Sequence, residues 1–195
     1  MIRNRWKIRA ALVYSLYILA LALLQVTLPP QVAILGSQPD LTLVLAILCG
    51  CMFGAKDGLI VGLAAGFLRD MLAGRALGLG MLVLMYSALL ASVMFRKFFR
   101  RNILLGLAQI ILITVFYEFL ITGLNYIAPM LSDVQPGFER LFRQMINSLP
   151  GQLLANLAAG APLIFLLHFV GPYHRGSRKD ASEDSIVGDS IWRVS

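Results

Sequence analysis

Two carboxylates stand inside apolar runs: Asp70 in Gly66-Phe67-Leu68-Arg69-Asp70, and Glu118 in Val115-Phe116-Tyr117-Glu118-Phe119-Leu120. In lipid a charge at such a position costs a few kcal/mol, so the acid ends up neutral or paired, and it can carry a proton, meet a ligand or tie two helices together. Glu118 lies deep in its run and is expected to be protonated or paired, with Asn156 or Asn125 as candidate partners. A proton relay needs a chain of such groups, and Glu118 is isolated, so pairing within a bundle is favoured. Asp70 keeps two readings, a polar contact with a partner helix or ligand, or a helix-end carboxylate at the water interface one turn before Gly74. The amides of Asn147, Gln152 and Asn156 can bridge helices at ~1 kcal/mol each. His168 reads as an interfacial anchor.

Catalytic constellations are missing from the sequence. No H-E-x-x-H, G-x-S-x-G or P-loop pattern occurs. Asp57 and Asp70 fall at opposite ends of one short helical segment and cannot converge on a metal. Cys49 and Cys51 point to different sides of a helix, which rules out a disulfide between them, and no His or second Cys pair completes a metal site. Small apolar filler is their expected role. The expectation is therefore a protein that is not an enzyme, with no catalytic residue, no metal and no cofactor.

The elements that must position these groups are membrane helices. Of 195 residues, 58% are hydrophobic and 14% charged, with a mean hydropathy of +0.78. A soluble domain carries nearer ~25% charge. The net charge of +7 does not imply nucleic acid, because the basic residues cluster at the ends of apolar stretches, where they orient helices in a bilayer. Glycine recurs at every fourth position, Gly50, Gly54, Gly58, Gly62 and Gly66, then Gly74 and Gly78, and Asp70 fills the missing beat. Each glycine would cost ~1 kcal/mol in a soluble helix. Within lipid, small residues four apart share a face and let two backbones approach closely.

Six spans are expected. The first runs from about Ala10 to Leu28, stops at Pro29-Pro30 and is retained, since no small-residue cleavage site follows it. Asp40 is placed to cap the second, Leu41 to Phe53. A turn over Gly54 to Gly58 leads to the third, Leu59 to about Ala73. The fourth, Leu79 to Phe95, ends in the basic cluster Arg96, Lys97, Arg100 and Arg101. The fifth covers Ile103 to about Ala128. Phe138, Leu141, Phe142 and Met145 then form the apolar stripe of a helix expected to lie in the membrane interface. The sixth runs from about Leu149 to Val170. Residues 1–170 thus make one membrane domain, and 171–195 a polar tail expected to be disordered. Trp6, Tyr14, Tyr17 and Tyr173 suit aromatic belts. Six spans gather Arg3, Arg5, Lys7, Arg9, the 96–101 cluster and the tail's Arg175, Arg178 and Lys179 on one side. Only Arg75, Arg140 and Arg143 fall opposite, so both termini are expected in the cytoplasm.

The chain resembles the MreD family of bacterial rod shape-determining membrane proteins. The resemblance covers most of residues 10–170. It rests on Pro39-Asp40 before a hydrophobic span, on Gly58-x-x-x-Gly62-x-x-x-Gly66-Phe67-Leu68-x-Asp70-x-x-x-Gly74 followed by Leu77-Gly78, on Tyr117-Glu118 in the fifth span, and on Pro150-x-x-Leu153-Leu154-x-Asn156 with Pro162 beyond. The resemblance implies an all-α, six-helix bundle similar to the substrate-binding subunits of energy-coupling-factor vitamin transporters. It further implies a non-enzymatic component of the cell-elongation complex in the bacterial inner membrane. Partners so implied are the bitopic protein MreC, and with it RodA, a class B penicillin-binding transpeptidase and MreB, in lateral peptidoglycan synthesis.

On this reading the glycine face of span three packs at the bundle centre against span two or six. The segment Phe138 to Ile146 and the outer loops would receive the periplasmic partner, and Arg96 to Arg101 would face anionic lipid or filament or simply set topology. A competing class is the substrate-binding subunit of a small-molecule transporter, which needs an outward pocket with convergent polar groups. The outer loops hold few: Asp40, Asp133 and Arg75. A flippase or proton-coupled role through Glu118 is a third reading.

Overall fold

The structure, a computed structural model, describes residues 2–73, 78–94, 103–127 and 137–172. Gly74, Arg75, Asp133, the cluster Arg96, Lys97, Arg100 and Arg101, and the tail from Tyr173 lie outside these residues. The described residues form six α-helices: α1 Ile2–Thr27, α2 Leu41–Phe53, α3 Ala55–Ala73, α4 Leu79–Met94, α5 Ile103–Ile127 and α6 Phe138–Phe169. A single 3₁₀ turn, Pro30–Val32, follows α1, whose helical path is stopped by the paired prolines.

The most apolar helix sits at the centre. In α2, Leu41 through Cys51 are all buried, so it has no solvent or lipid face. A helix that is hydrophobic all round belongs inside a core. It touches each of the other five α-helices. Around it α1 meets α3, α3 meets α4, α4 meets α5 and α5 meets α6. Between α6 and α1 the Tyr17 hydroxyl lies 3.4 and 3.3 Å from the carbonyl oxygens of Leu166 and Val170 and donates to them. The tyrosine expected in an aromatic belt thus closes a ring of helices.

Two expectations about the elements need correction. The turn over Gly54 to Gly58 contracts to one residue. Gly54 adopts φ 108°, a region open to glycine, and reverses the chain so sharply that α3 starts at Ala55. Gly58 then donates its N–H to the Gly54 carbonyl at 2.9 Å, and Lys56 and Asp57 become the first turn of α3.

Second, no separate interfacial helix precedes the last span. Residues 138–169 form one continuous helix of 32 residues, with Pro150 and Pro162 inside it. Proline removes one intrahelical bond but keeps a helical φ, and a helix held on several sides absorbs that loss.

Among the described residues, three helices are long and apolar enough to cross a membrane by length and composition alone: Ile8–Thr27, Leu104–Ile127 and Phe138–Phe169. Helices α2 and α4 are apolar but short, and α3 carries Lys56, Asp57, Arg69 and Asp70. The bundle centre is therefore built from helices that hydropathy alone does not identify as spans.

Candidate functional site

The polar centre of the molecule is built around Asp40. Its side chain caps α2, with Oδ1 accepting from the Leu43 N–H at 3.0 Å and from the Thr42 hydroxyl at 2.8 Å. Such a cap satisfies one of the orphan donors of the first turn. The Gln25 amide on α1 donates to the same oxygen at 3.4 Å, and its carbonyl accepts the Thr42 N–H at 3.2 Å, which occupies a second orphan donor. The other carboxylate oxygen, Oδ2, receives Nη1 of Arg69 on α3 at 2.6 Å. The Asp40 N–H donates to Oδ1 of Asn156 on α6 at 2.7 Å, and the Asn156 amide donates to the Thr114 hydroxyl on α5 at 3.2 Å. Five helices are tied to one another through these groups.

Depth is the surprise. Thr114 lies halfway along α5, and Asn156 past the middle of α6, so Asp40 sits within the bundle and is buried. It is not the outer-loop acid expected. The reason is length: thirteen residues at 1.5 Å each make α2 only about 20 Å long, so its head starts well inside the bundle. Arg69 completes the site, its guanidinium carbon 5.6 Å from the centre of the Tyr117 ring on α5. A buried ion pair stabilises only when its remaining hydrogen-bonding groups are satisfied. Asp40 meets that condition through Leu43, Thr42 and Gln25.

A second polar contact explains Asp70. Its carboxylate accepts from the N–H groups of Gly78 at 3.0 Å and Met81 at 3.3 Å, at the start of α4. Asp70 is buried. It is one rung of the four-residue ladder, and the ladder faces α4 rather than span six. A Cβ at Gly62 would lie 2.9 Å from the Leu84 carbonyl oxygen and 3.0 Å from the Met85 Cα. One at Gly66 would strike the Met81 backbone, and one at Gly50 the Ala88 carbonyl. At Gly58 it would come within 2.6 Å of the Gly50 Cα, where α2 and α3 cross. At Gly80 the obstacle is the Asp70 carboxylate itself. Gly54 is buried at the α2–α3 reversal.

Nearer the other end of α4, Gln109 of α5 donates to the Ala91 carbonyl and accepts from the Cys51 thiol at 2.8 Å. Cys49 and Cys51 are both free and buried. No group of three metal-ligating side chains occurs among the described residues.

Of the two expectations for Glu118, protonated or paired, the pairing with Asn156 is not formed. Asn156 is committed to Asp40 and Thr114, and among the described residues no hydrogen bond reaches Glu118, which is half-buried. Helix α5 turns Thr114 and Tyr117 inward, so the next residue is carried about 100° round to the flank. The apolar stripe of 138–145 is also split. Phe138 and Phe142 are exposed, stacked 5.8 Å apart, with Tyr126 edge-on to Phe138 at 5.5 Å. Leu141 is half-buried and Met145 is buried against the bundle.

Sequence reasoning missed Arg69, Gln25, Thr114 and Gln109. For Arg69 the signal was available: a base inside an apolar run requires an acid. Its neighbour Asp70 looked sufficient, but adjacent residues on a helix point about 100° apart.

These features define an all-helical membrane-protein bundle whose buried polar groups tie helix to helix. The chain belongs to the MreD family: the model of the family described as rod shape-determining protein MreD matches residues 5–146. That stretch includes Asp40, Arg69, Asp70 and Glu118, and ends within α6. Neither a curated protein nor a solved structure matches the chain. Membership assigns the protein to rod-shape determination, in a family of membrane proteins not known for enzyme activity.

Proposed function

We propose that the chain is a non-enzymatic, six-crossing component of the bacterial elongation complex, with both termini cytoplasmic, that binds an MreC-like bitopic protein in the inner membrane. It would support lateral peptidoglycan synthesis alongside RodA, a class B penicillin-binding transpeptidase and MreB. The observation that carries this reading is where the central polar groups go. Asp40, Asn156, Thr114 and Gln25 are spent on one another, and Arg69 on Asp40 and the Tyr117 ring. Such a core makes a firm body for partners to dock on. Asp70 serves the same end by joining α3 to α4. The glycines 50, 58, 62 and 66 let α2, α3 and α4 pack closely.

Affinity purification from membranes, with mass spectrometry of the co-purifying proteins, tests the proposal. Recovery of an MreC-like protein at stoichiometric level is expected. Recovery of transporter ATPase subunits with a bound vitamin would replace this reading by the transport one.

A further inference from the structure

At one end of the bundle, the tight turn 34–37 leans on α6. The Ser37 hydroxyl donates to the Ser148 carbonyl at 3.1 Å, and a Cβ at Gly151 would lie 2.7 Å from both the Ile34 carbonyl oxygen and the Ser37 hydroxyl oxygen. Beside this contact opens a groove of about 790 Å³, lined by Leu35, Ser37, Arg140, Arg143, Gln144 and Asn147 among others. Positions 140, 143, 144 and 147 share one helical face.

Three observations say what the groove fits. Its charge is positive: Arg140 and Arg143 face it with Glu139 as the one acid of its lining. Glu139 is held by Arg143 at 2.8 Å, but both side chains are highly exposed (85% and 73%), so the pair is weak and leaves the cations available. The same face of α6 then turns apolar. Continuing by sevens and fours, Arg143 and Asn147 lead to Leu154 and Phe165, both exposed. Polar above and apolar below is the profile of an amphiphile. Finally, Leu35 is a non-glycine residue held at φ 50° with 71% of its surface exposed at the groove rim. An apolar side chain kept in so sparsely populated a conformation invites a functional reason.

The level is right as well. A helix of 32 residues extends about 48 Å, against roughly 30 Å of hydrocarbon. The excess leaves room for its polar first turns at headgroup level, with Leu154, eleven residues or about 17 Å beyond Arg143, at the level of that leaflet's acyl chains.

We propose that this groove binds an anionic phospholipid, its phosphate on Arg140 and Arg143, its headgroup hydroxyls against Gln144 and Asn147, and its chains running down toward Leu154.

The test uses the full chain purified in detergent and titrated with dioleoylphosphatidylglycerol, with bound lipid counted by native mass spectrometry. Saturable retention of one such lipid is expected, together with weaker retention of dioleoylphosphatidylcholine. Arg140→Gln with Arg143→Gln should weaken phosphatidylglycerol retention roughly fivefold for each charge removed. The lipid-free melting temperature should stay unchanged. If the double variant folds poorly, Arg140→Gln alone carries the test, and Arg140→Lys should restore retention. Neutralising Arg96, Lys97, Arg100 and Arg101 should leave this lipid bound. Equal retention of the two lipids, wild-type retention by the arginine variants, displacement by millimolar inorganic phosphate, or protection by an acidic peptide in place of lipid would each overturn the proposal.

Discussion

Arg69 and Asp40 are twenty-nine residues apart in sequence and 2.6 Å apart in space, and through this contact α3 grips the head of α2. Asp40 thereby does two things at once. It caps the central helix and neutralises the base that α3 brings inside. Arg69 would be left without a countercharge if Asp40 were absent, and an unpaired charge in that setting is expensive.

Removing the acid should accordingly be worse than removing the base. Asp40→Ala strips the cap and strands Arg69, and is expected to cost about 3–5 kcal/mol. Arg69→Met leaves the carboxylate with the Leu43, Thr42 and Gln25 donors and should cost less. The double variant should be milder than the sum of the two. Thermal unfolding in detergent gives the cycle; additive losses would mean that the pair is not formed.

Glycines differ sharply in what they tolerate. Gly62→Ala places a Cβ against the Leu84 and Met85 backbone and should destabilise by about 1–3 kcal/mol through overpacking. Gly123→Ala meets nothing within 4 Å and should be neutral or slightly stabilising. Gly62→Leu or Gly66→Leu should abolish rod morphology in a complementation assay. Normal rods from either leucine variant would remove the close α3–α4 contact from the account.

Asp70 acts as an acceptor for two backbone donors of α4. Asp70→Ala should therefore destabilise by about 1–2 kcal/mol, and Asp70→Asn, which retains one acceptor, should recover part of that loss. If Asn and Ala behave alike in the melting assay, the caps at Gly78 and Met81 are not what holds the residue there.

Both cysteines are buried between helices. A membrane-permeant maleimide should leave them unlabelled in the folded protein and label both after denaturation. Labelling of Cys49 in the native state would show that α2 is reachable and not the hub described.

Glu118 offers a further discrimination. As a flank residue without a hydrogen bond among the described residues, it should tolerate Glu118→Gln with rod shape and partner recovery intact. Loss of rod shape with the complex still assembled would establish a proton-coupled role instead.

Much of this was open to reading before any coordinates. The apolar run Leu41 to Phe53, the cap at Asp40 and the four-residue glycine rhythm each follow from local rules: uniform hydrophobicity, short-range hydrogen bonding and shared helical faces. So does the family likeness. Membrane crossing was legible for α1, α5 and α6, whose length and composition suffice on their own. What stayed hidden were the pairings. That the ladder meets α4, that Arg69 passes over its neighbour to reach Asp40, and that Asn156 binds the Asp40 N–H instead of Glu118 all depend on how helices rotate about a short central one. The join between the 138–146 segment and the last span stayed hidden for a related reason: proline forbids one hydrogen bond, but tertiary contacts decide whether a helix runs on through Pro150. Composition and periodicity are properties of single segments and can be read off the chain. Which polar group answers which is set by burial from several sides at once, and only the packed bundle decides it.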